Sequence, residues 1–180
     1  QKLRQIANGG LYIDIDDKRT WKKLHDEKTD AVLELLNELE GQPALIGYEF
    51  HHDLARLRAA LPGVPCLTDV PMKKYYGLEE AWNRGEIPVA LAQISALAHG
   101  NNLQGGRAVI FHSFVWDYEA YDQFIRRIYR QGQKAKRVVV YHVVAQNTVD
   151  EAVLASMAVK GATQNDLFNA LKAHMRRRPR

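Results

Sequence analysis

The sequence predicts an α/β domain of three layers, a parallel sheet with helices on both faces. Three observations carry this expectation. From residue 21 onward, strand-like and helix-like segments alternate along the chain. The strand-like segments are near-continuously apolar, as strands buried on both faces must be. The 180 residues suffice for one domain with a sizeable core.

The elements follow in order. In "HDEKTDAVLELLNELE", residues 25–40, Ala31, Leu35 and Leu39 fall on one stripe with Val32 and Leu36, the spacing of an amphipathic helix. Gly41 ends that helix, and Pro43 opens the short apolar strand "PALIGYEF". "HDLARLRAAL" is helical, "VPCL" a brief strand and "YYGLEEAWNRGE" helical again. "PVALAQ" is a strand, and "SALAHGNNLQGG" a loop of small residues. The strand "RAVIFHS" then leads to the helix "DYEAYDQFIRRIYRQG", closed by Gly132. "RVVVYHVVA" is the longest β-branched run, the fifth strand. Thr148 and Glu151 stand at capping-box spacing and open the helix "TVDEAVLASMA". A separate last helix, "NDLFNALKAHM", is expected after Thr163. Residues 1–20 read as a linker from an upstream domain, 21–172 as the folded domain and 173–180 as a basic tail.

Composition narrows the class. Hydrophobic content of 46% and charged content of 26% are those of a globular chain. No stretch approaches the roughly 18 apolar residues that span a membrane. The single Cys66 excludes an internal disulfide and a cysteine metal cluster, which fits a reducing cytoplasm. The formal charge of +4 is carried by Arg176, Arg177, Arg178 and Arg180, so the body of the chain is balanced. Within that body Arg126, Arg127, Arg130, Lys134, Lys136 and Arg137 lie close together with no acid between them.

A parallel α/β domain invites a search for nucleotide chemistry. There is no GxxxxGK(S/T) phosphate loop, no GxGxxG turn and no GxSxG nucleophile elbow. Asp26-Glu27 and Asp150-Glu151 fall at helix starts, where acids favour the dipole, and not after strands as metal ligands. His51 and His52 are adjacent, which does not aim both at one metal. What remains is "QFIRRIYRQGQ", Gln123 to Gln133. Arg127 and Arg130 are three apart and share a helix face, as do Arg126 and Arg130 at four apart. Two guanidiniums on one face want an anion or water, and spacing by itself leaves both open.

The spacing Gln123, Arg127, Arg130, Gly132, Gln133 resembles motif VI of superfamily-two helicases, specifically the Swi/Snf branch of DNA translocases. Trp116 stands seven before Gln123, as the tryptophan of that family's "DWNP" segment does. "GNNL" (100–103) resembles the "GINL" core of motif V, "LRQIAN" (3–8) the "LRQICN" entry segment, and "TVDEAVL" (148–154) the "TVEEKIL" helix. "PALIGYEF" sits where motif IV belongs, with Tyr48 and Glu49 in place of its serine and glutamine. The details are most similar to bacteriophage or prophage members.

The resemblance implies a second RecA-like domain, the C-terminal half of a two-domain motor driven by ATP and Mg2+. The first RecA-like domain would hold the phosphate loop and the magnesium-binding carboxylates. In this half Arg127 and Arg130 would be arginine fingers, and Gln123 and Gly100 would line the same ATP cleft. Ser95, Asn101 and Asn102 would donate to the backbone of double-stranded DNA. Trp116 reads as a packing residue beside the motif VI helix, and Arg126 as a surface or DNA-side charge. The isolated chain would be inactive, and in a phage the protein would work in the host cytoplasm. The rival expectation is a RecA-like nucleic-acid-binding or scaffold domain without motor function; a third is an RNA-directed helicase.

Overall fold

The computed structural model describes residues 1–97 and 102–176, with only the backbone for residues 164–176. The chain runs α1 (Lys2–Ala7), β1 (Gly10–Ile15), β2 (Lys18–Lys23), α2 (Glu27–Glu38), β3 (Ala44–Tyr48), α3 (His51–Ala60), α4 (Met72–Arg84), β4 (Val89–Gln93), β5 (Ala108–Phe111), α5 (Tyr118–Ile128), β6 (Val139–His142) and α6 (Val149–Arg176). β3 to β6 form a parallel sheet in the order β4-β3-β5-β6.

Alternate residues of each strand feed the two outer layers. Ala44, Ile46, Ala108 and Ile110 pack with Val32 of α2 and Leu54 and Leu57 of α3. Leu45, Val109 and Phe111 pack with Tyr75 and Trp82 of α4, Phe124 and Ile128 of α5, and Val153 and Met157 of α6. All five residues of β3 are buried, as expected of a central strand covered on both sides. The three-layer α/β architecture is therefore as expected.

Four details differ from the sequence expectation. "VPCL" is not a full strand: Cys66 alone bridges Leu91, through Leu67 N–H to Leu91 O (2.8 Å) and Leu91 N–H to Pro65 O (2.9 Å). Pro65 has no N–H to extend the ladder. Residues 1–20, expected as a linker, hold α1, β1 and the start of β2, and they fold against the domain. Gln5, Ala7 and Asn8 are buried there.

The third difference is that one continuous helix, α6, takes the place of two. Thr163 donates to Val159 O at 3.0 Å within that helix and does not cap a new one. Residues 173–176 of the expected basic tail are the end of α6, and 177–180 lie outside the described residues. The fourth is the end of α5, at Ile128, which leaves Arg130 in the turn beyond the helix.

Candidate functional site

The end of α5 is built by its neighbours. Leu103 N–H donates to Arg127 O at 2.8 Å. Gln133 Nε2 donates to Ile128 O (3.2 Å) and Gly106 O (2.8 Å). These contacts satisfy carbonyls that a helix terminus otherwise leaves open. The chain turns at Gly132 with φ +96°, where an added Cβ would lie 2.3 Å from Gln104 Oε1. So two residues of the QxxxRxxRxGQ spacing, Gly132 and Gln133, shape the turn, while Arg127 and Arg130 are presented by it.

Gln123, Arg126, Arg127, Tyr129 and Arg130 line one open cleft of about 300 Å³. Gln123 donates to Glu119 Oε1 at 2.9 Å, one turn earlier. Arg126 points to Asp122, with Nε 2.5 Å from Oδ2, and is exposed. That pair occupies Arg126 on the surface, in keeping with its reading as a surface charge. Partial burial, then the charge of Arg130, lower the Arg127 guanidinium, and Tyr75 opposes them. Among the described residues, guanidiniums, an amide and a phenol line the cleft, and no carboxylate does. That donor set fits a polyphosphate anion and not a bare divalent cation.

The position of this cleft departs from the rule that such sheets bind ligands where strands exit. α5 begins at Asp117, whose Oδ1 caps Glu119 N (2.9 Å) and Ala120 N (3.3 Å) after β5 exits. It runs back along the sheet and ends beside Leu103 and Gly106, in the segment that enters β5. Asn102 lies at this same end. Its N–H donates to Glu79 Oε1 (3.0 Å), and its carbonyl accepts from Asn83 Nδ2 (2.7 Å). Asn102 is thus tied to α4 and neighbours the arginine end of the sheet.

Ser95 lies at the opposite end, where β4 exits. Its hydroxyl donates to Glu49 at 3.2 Å from each carboxylate oxygen. The three residues expected on DNA therefore do not form one described surface. Ser95 and Asn102 sit at opposite ends of the sheet, and Asn101 lies outside the described residues, as does Gly100 of the ATP set. Trp116, expected to pack, is 44% exposed at the carboxyl end of β5, and its carbonyl accepts from Lys160 Nζ at 2.9 Å.

Sequence reasoning missed a buried polar network behind the carboxyl ends of β3 and β5. Asp53 is fully buried and accepts from Asn8 Nδ2 (3.1 Å), Phe50 N (3.1 Å), Ser113 Oγ (2.6 Å) and an Arg56 guanidinium nitrogen (3.0 Å). Burial alone would raise its carboxyl, but His52, His112 and Ser113 hold it below the usual carboxylate range. Asn8 also accepts from Lys28 Nζ at 2.9 Å, and Lys28 pairs with buried Asp150 of α6. Burial lowers the Lys28 ammonium, and Asp150 opposes it. Burial brings His112 down to about 4. This network locks residues 1–9 into the domain, and polar residues scattered across α1, α2, α3, β5 and α6 carry no periodic signal that could have announced it.

Residues 27–132 match the helicase conserved C-terminal domain, more than half of the chain and the span that contains both arginines. The chain belongs to the helicase C-terminal domain family. Over 176 residues it is 39% identical to protein p41 of Acyrthosiphon pisum secondary endosymbiont phage 1, covering 95% of this chain and 37% of that protein. An uncharacterised ATP-dependent helicase of Mycoplasma pneumoniae is 35% identical over 89 residues, 49% of this chain and 8% of that protein. The chain thus spans 37% of the phage protein and 8% of the Mycoplasma helicase. Its fold is similar to the crystal structure of the C-terminal part of the Fun30 ATPase domain, with a TM-score of 0.64 at 21% identity, over 75% of this chain and 48% of that one. Among the described residues, this helicase C-terminal domain has no helix long and apolar enough to cross a membrane.

Proposed function

We propose that this domain is the second motor half of an ATP-driven, Swi/Snf-type translocase on double-stranded DNA. The observation that carries the reading is the cleft at the end of α5. Arg127 and Arg130 border it together, with Gln123 beside them and the turn fixed by Gly132 and Gln133. The ATP-dependent helicase of Mycoplasma pneumoniae, similar over half of this chain, supports the nucleotide.

The residues of this chain do the work of positioning charge. ATP supplies the transferable γ-phosphoryl group, and Mg2+ would be held by carboxylates of the first RecA-like domain, since none of the described residues lining this cleft is a carboxylate. Arg127 lies in the last turn of a helix whose end is hydrogen-bonded to Leu103, so its guanidinium starts from a fixed backbone. Arg130 follows on a turn closed by Gln133. Two guanidiniums carried on this helix end and turn would stabilise the negative charge that develops on phosphate oxygens. Arginine suits the task because it stays charged and its fork matches paired oxygens. Gln123, on the same cleft, positions the phosphates by its amide.

The substrate is tested by ATP hydrolysis of the full-length protein with duplex DNA, single-stranded DNA and RNA in turn. The reading expects the strongest stimulation by duplex DNA. Stimulation by RNA alone would transfer the domain to an RNA-directed helicase, and no hydrolysis under any condition would favour a binding or scaffold domain.

A further inference from the structure

Residues 102–105, which lead into β5, are held by one face of α4. Glu79 and Asn83 are four apart on that helix and Trp82 is three after Glu79, so one face carries all three. Glu79 Oε1 accepts from Asn102 N–H at 3.0 Å, and Trp82 Nε1 donates to Leu103 O at 3.0 Å. Asn83 takes both ends of the segment. Its Nδ2 donates to Asn102 O at 2.7 Å, and its Oδ1 accepts from Gly105 N–H at 2.9 Å. One partner is a carbonyl and the other an N–H, so the position needs a donor and an acceptor on one short side chain. The fit against α4 is close. A Cβ on Gly105 would lie 2.6 Å from Trp82 O and 2.9 Å from Asn83 Cα. A Cβ on Gly106 would lie 2.8 Å from both Trp82 Cζ2 and Ile128 Cδ1.

Leu103 lies between the two ends of the Asn83 clip, and its N–H is the donor to Arg127 O at 2.8 Å. A line of hydrogen bonds therefore runs from α4, through the loop, to the backbone of the arginine. We propose that Asn83 is a positioning residue for ATP hydrolysis: by clipping Asn102 to Gly105 it fixes Leu103, and through Leu103 the backbone from which Arg127 reaches the cleft. Glu79 supports the same loop from one turn earlier in α4. Without the clip the loop is free to shift, and a displacement of about 1 Å costs about a hundredfold in rate. The loss falls on turnover and not on ATP binding, because the clip acts on where the guanidinium starts. The proposal rests on the reading of Arg127 as an arginine finger.

The test measures kcat and KM for ATP on the full-length protein with duplex DNA, at a temperature where urea curves show each variant folded. Asn83→Ala is expected to lower kcat about ten- to hundredfold, with KM changed by less than about twofold. Asn83→Asp keeps the acceptor for Gly105 and loses the donor to Asn102. If Asn83→Ala does not fold, this near-isosteric variant decides: a lowered kcat at unchanged KM supports the proposal. Glu79→Gln keeps an acceptor for Asn102 N–H and should stay near wild type, whereas Glu79→Ala should slow turnover. Val32→Ala, in the core on the other face of the sheet, shows what lost stability alone does, and should leave kcat unchanged. Wild-type kcat in the Asn83 variants, a loss that appears in KM instead, or an equal fall in Val32→Ala overturns the proposal. Arg127→Ala in the same assay separates it from the reading beneath it. A slow Arg127→Ala beside normal Asn83 variants overturns the positioning role alone. A normal Arg127→Ala, or no hydrolysis by wild type, overturns both.

Discussion

The backbone N–H of Leu103 donates to the backbone carbonyl of Arg127 at 2.8 Å. The loop between β4 and β5 is thereby fastened to the residue that heads the candidate cleft. Trp82 Nε1 donates to Leu103 O at 3.0 Å and fastens the same residue to α4. The arginine end of α5 is therefore held by the interior of the domain.

The turn after α5 is expected to be intolerant of a side chain. Gly132→Ala places a Cβ at a left-handed φ and against Gln104, which costs about 1–2 kcal/mol from conformation alone. Gln133→Ala removes the donor to Ile128 O and Gly106 O and costs about 1 kcal/mol. Urea denaturation of each variant against wild type checks both values. ATP hydrolysis by the full-length variants should fall as well, since Arg130 rides on this turn.

Lys28 and Asp150 form a buried pair between α2 and α6. Removing one partner leaves an uncompensated buried charge, so Lys28→Ala or Asp150→Ala should destabilise the domain by about 3–5 kcal/mol. Replacing both by apolar residues of similar size should restore much of the loss. Chemical denaturation of the two single variants and the double variant measures the coupling directly.

Stability should fall on mild acidification. His112 is buried and neutral, with its folded value lowered to about 4. In the unfolded chain it takes up a proton near its ordinary value of about 6.5. Between these two values the unfolded state binds more protons, so stability declines as the pH drops from about 6.5 to about 4, to a limit of about 3 kcal/mol. Asp53 is held below its usual range, so its contribution is present above about 4 and fails only at lower pH. Denaturation midpoints across this range test the sign. Replacing His112 by Asn should flatten the decline.

The layers and strands were legible because their signals are periodic and local. The apolar runs at 44–48, 89–93 and 108–111 became strands, and the stripe from Ala31 to Leu39 became α2. Boundaries set by long-range contacts were not legible. α5 ends at Ile128 because Leu103 and Gln133, both outside the helix, take its last carbonyls. The fold of residues 1–20 depends on Asn8 reaching Asp53, 45 positions away. For the candidate site, the pattern from Gln123 to Gln133 pointed to the cleft, but not to the division of labour within it. Ser95 and Asn102 looked like neighbours in one loop, and the parallel crossover puts them at opposite ends of the sheet.

The 180-residue chain alone should hydrolyse ATP no faster than background, because its sequence has no phosphate loop and none of the described residues lining its cleft is a carboxylate that could hold magnesium. Phosphate release from a clean preparation checks this, and turnover that survives purification would contradict it.

The most direct test of the arginine-finger assignment is ATP hydrolysis by full-length Arg127→Ala and Arg130→Ala, measured beside ATP binding. Loss of a finger is expected to lower the hydrolysis rate by about 10³–10⁵ with ATP binding largely kept. Near-normal turnover in both variants would contradict the account.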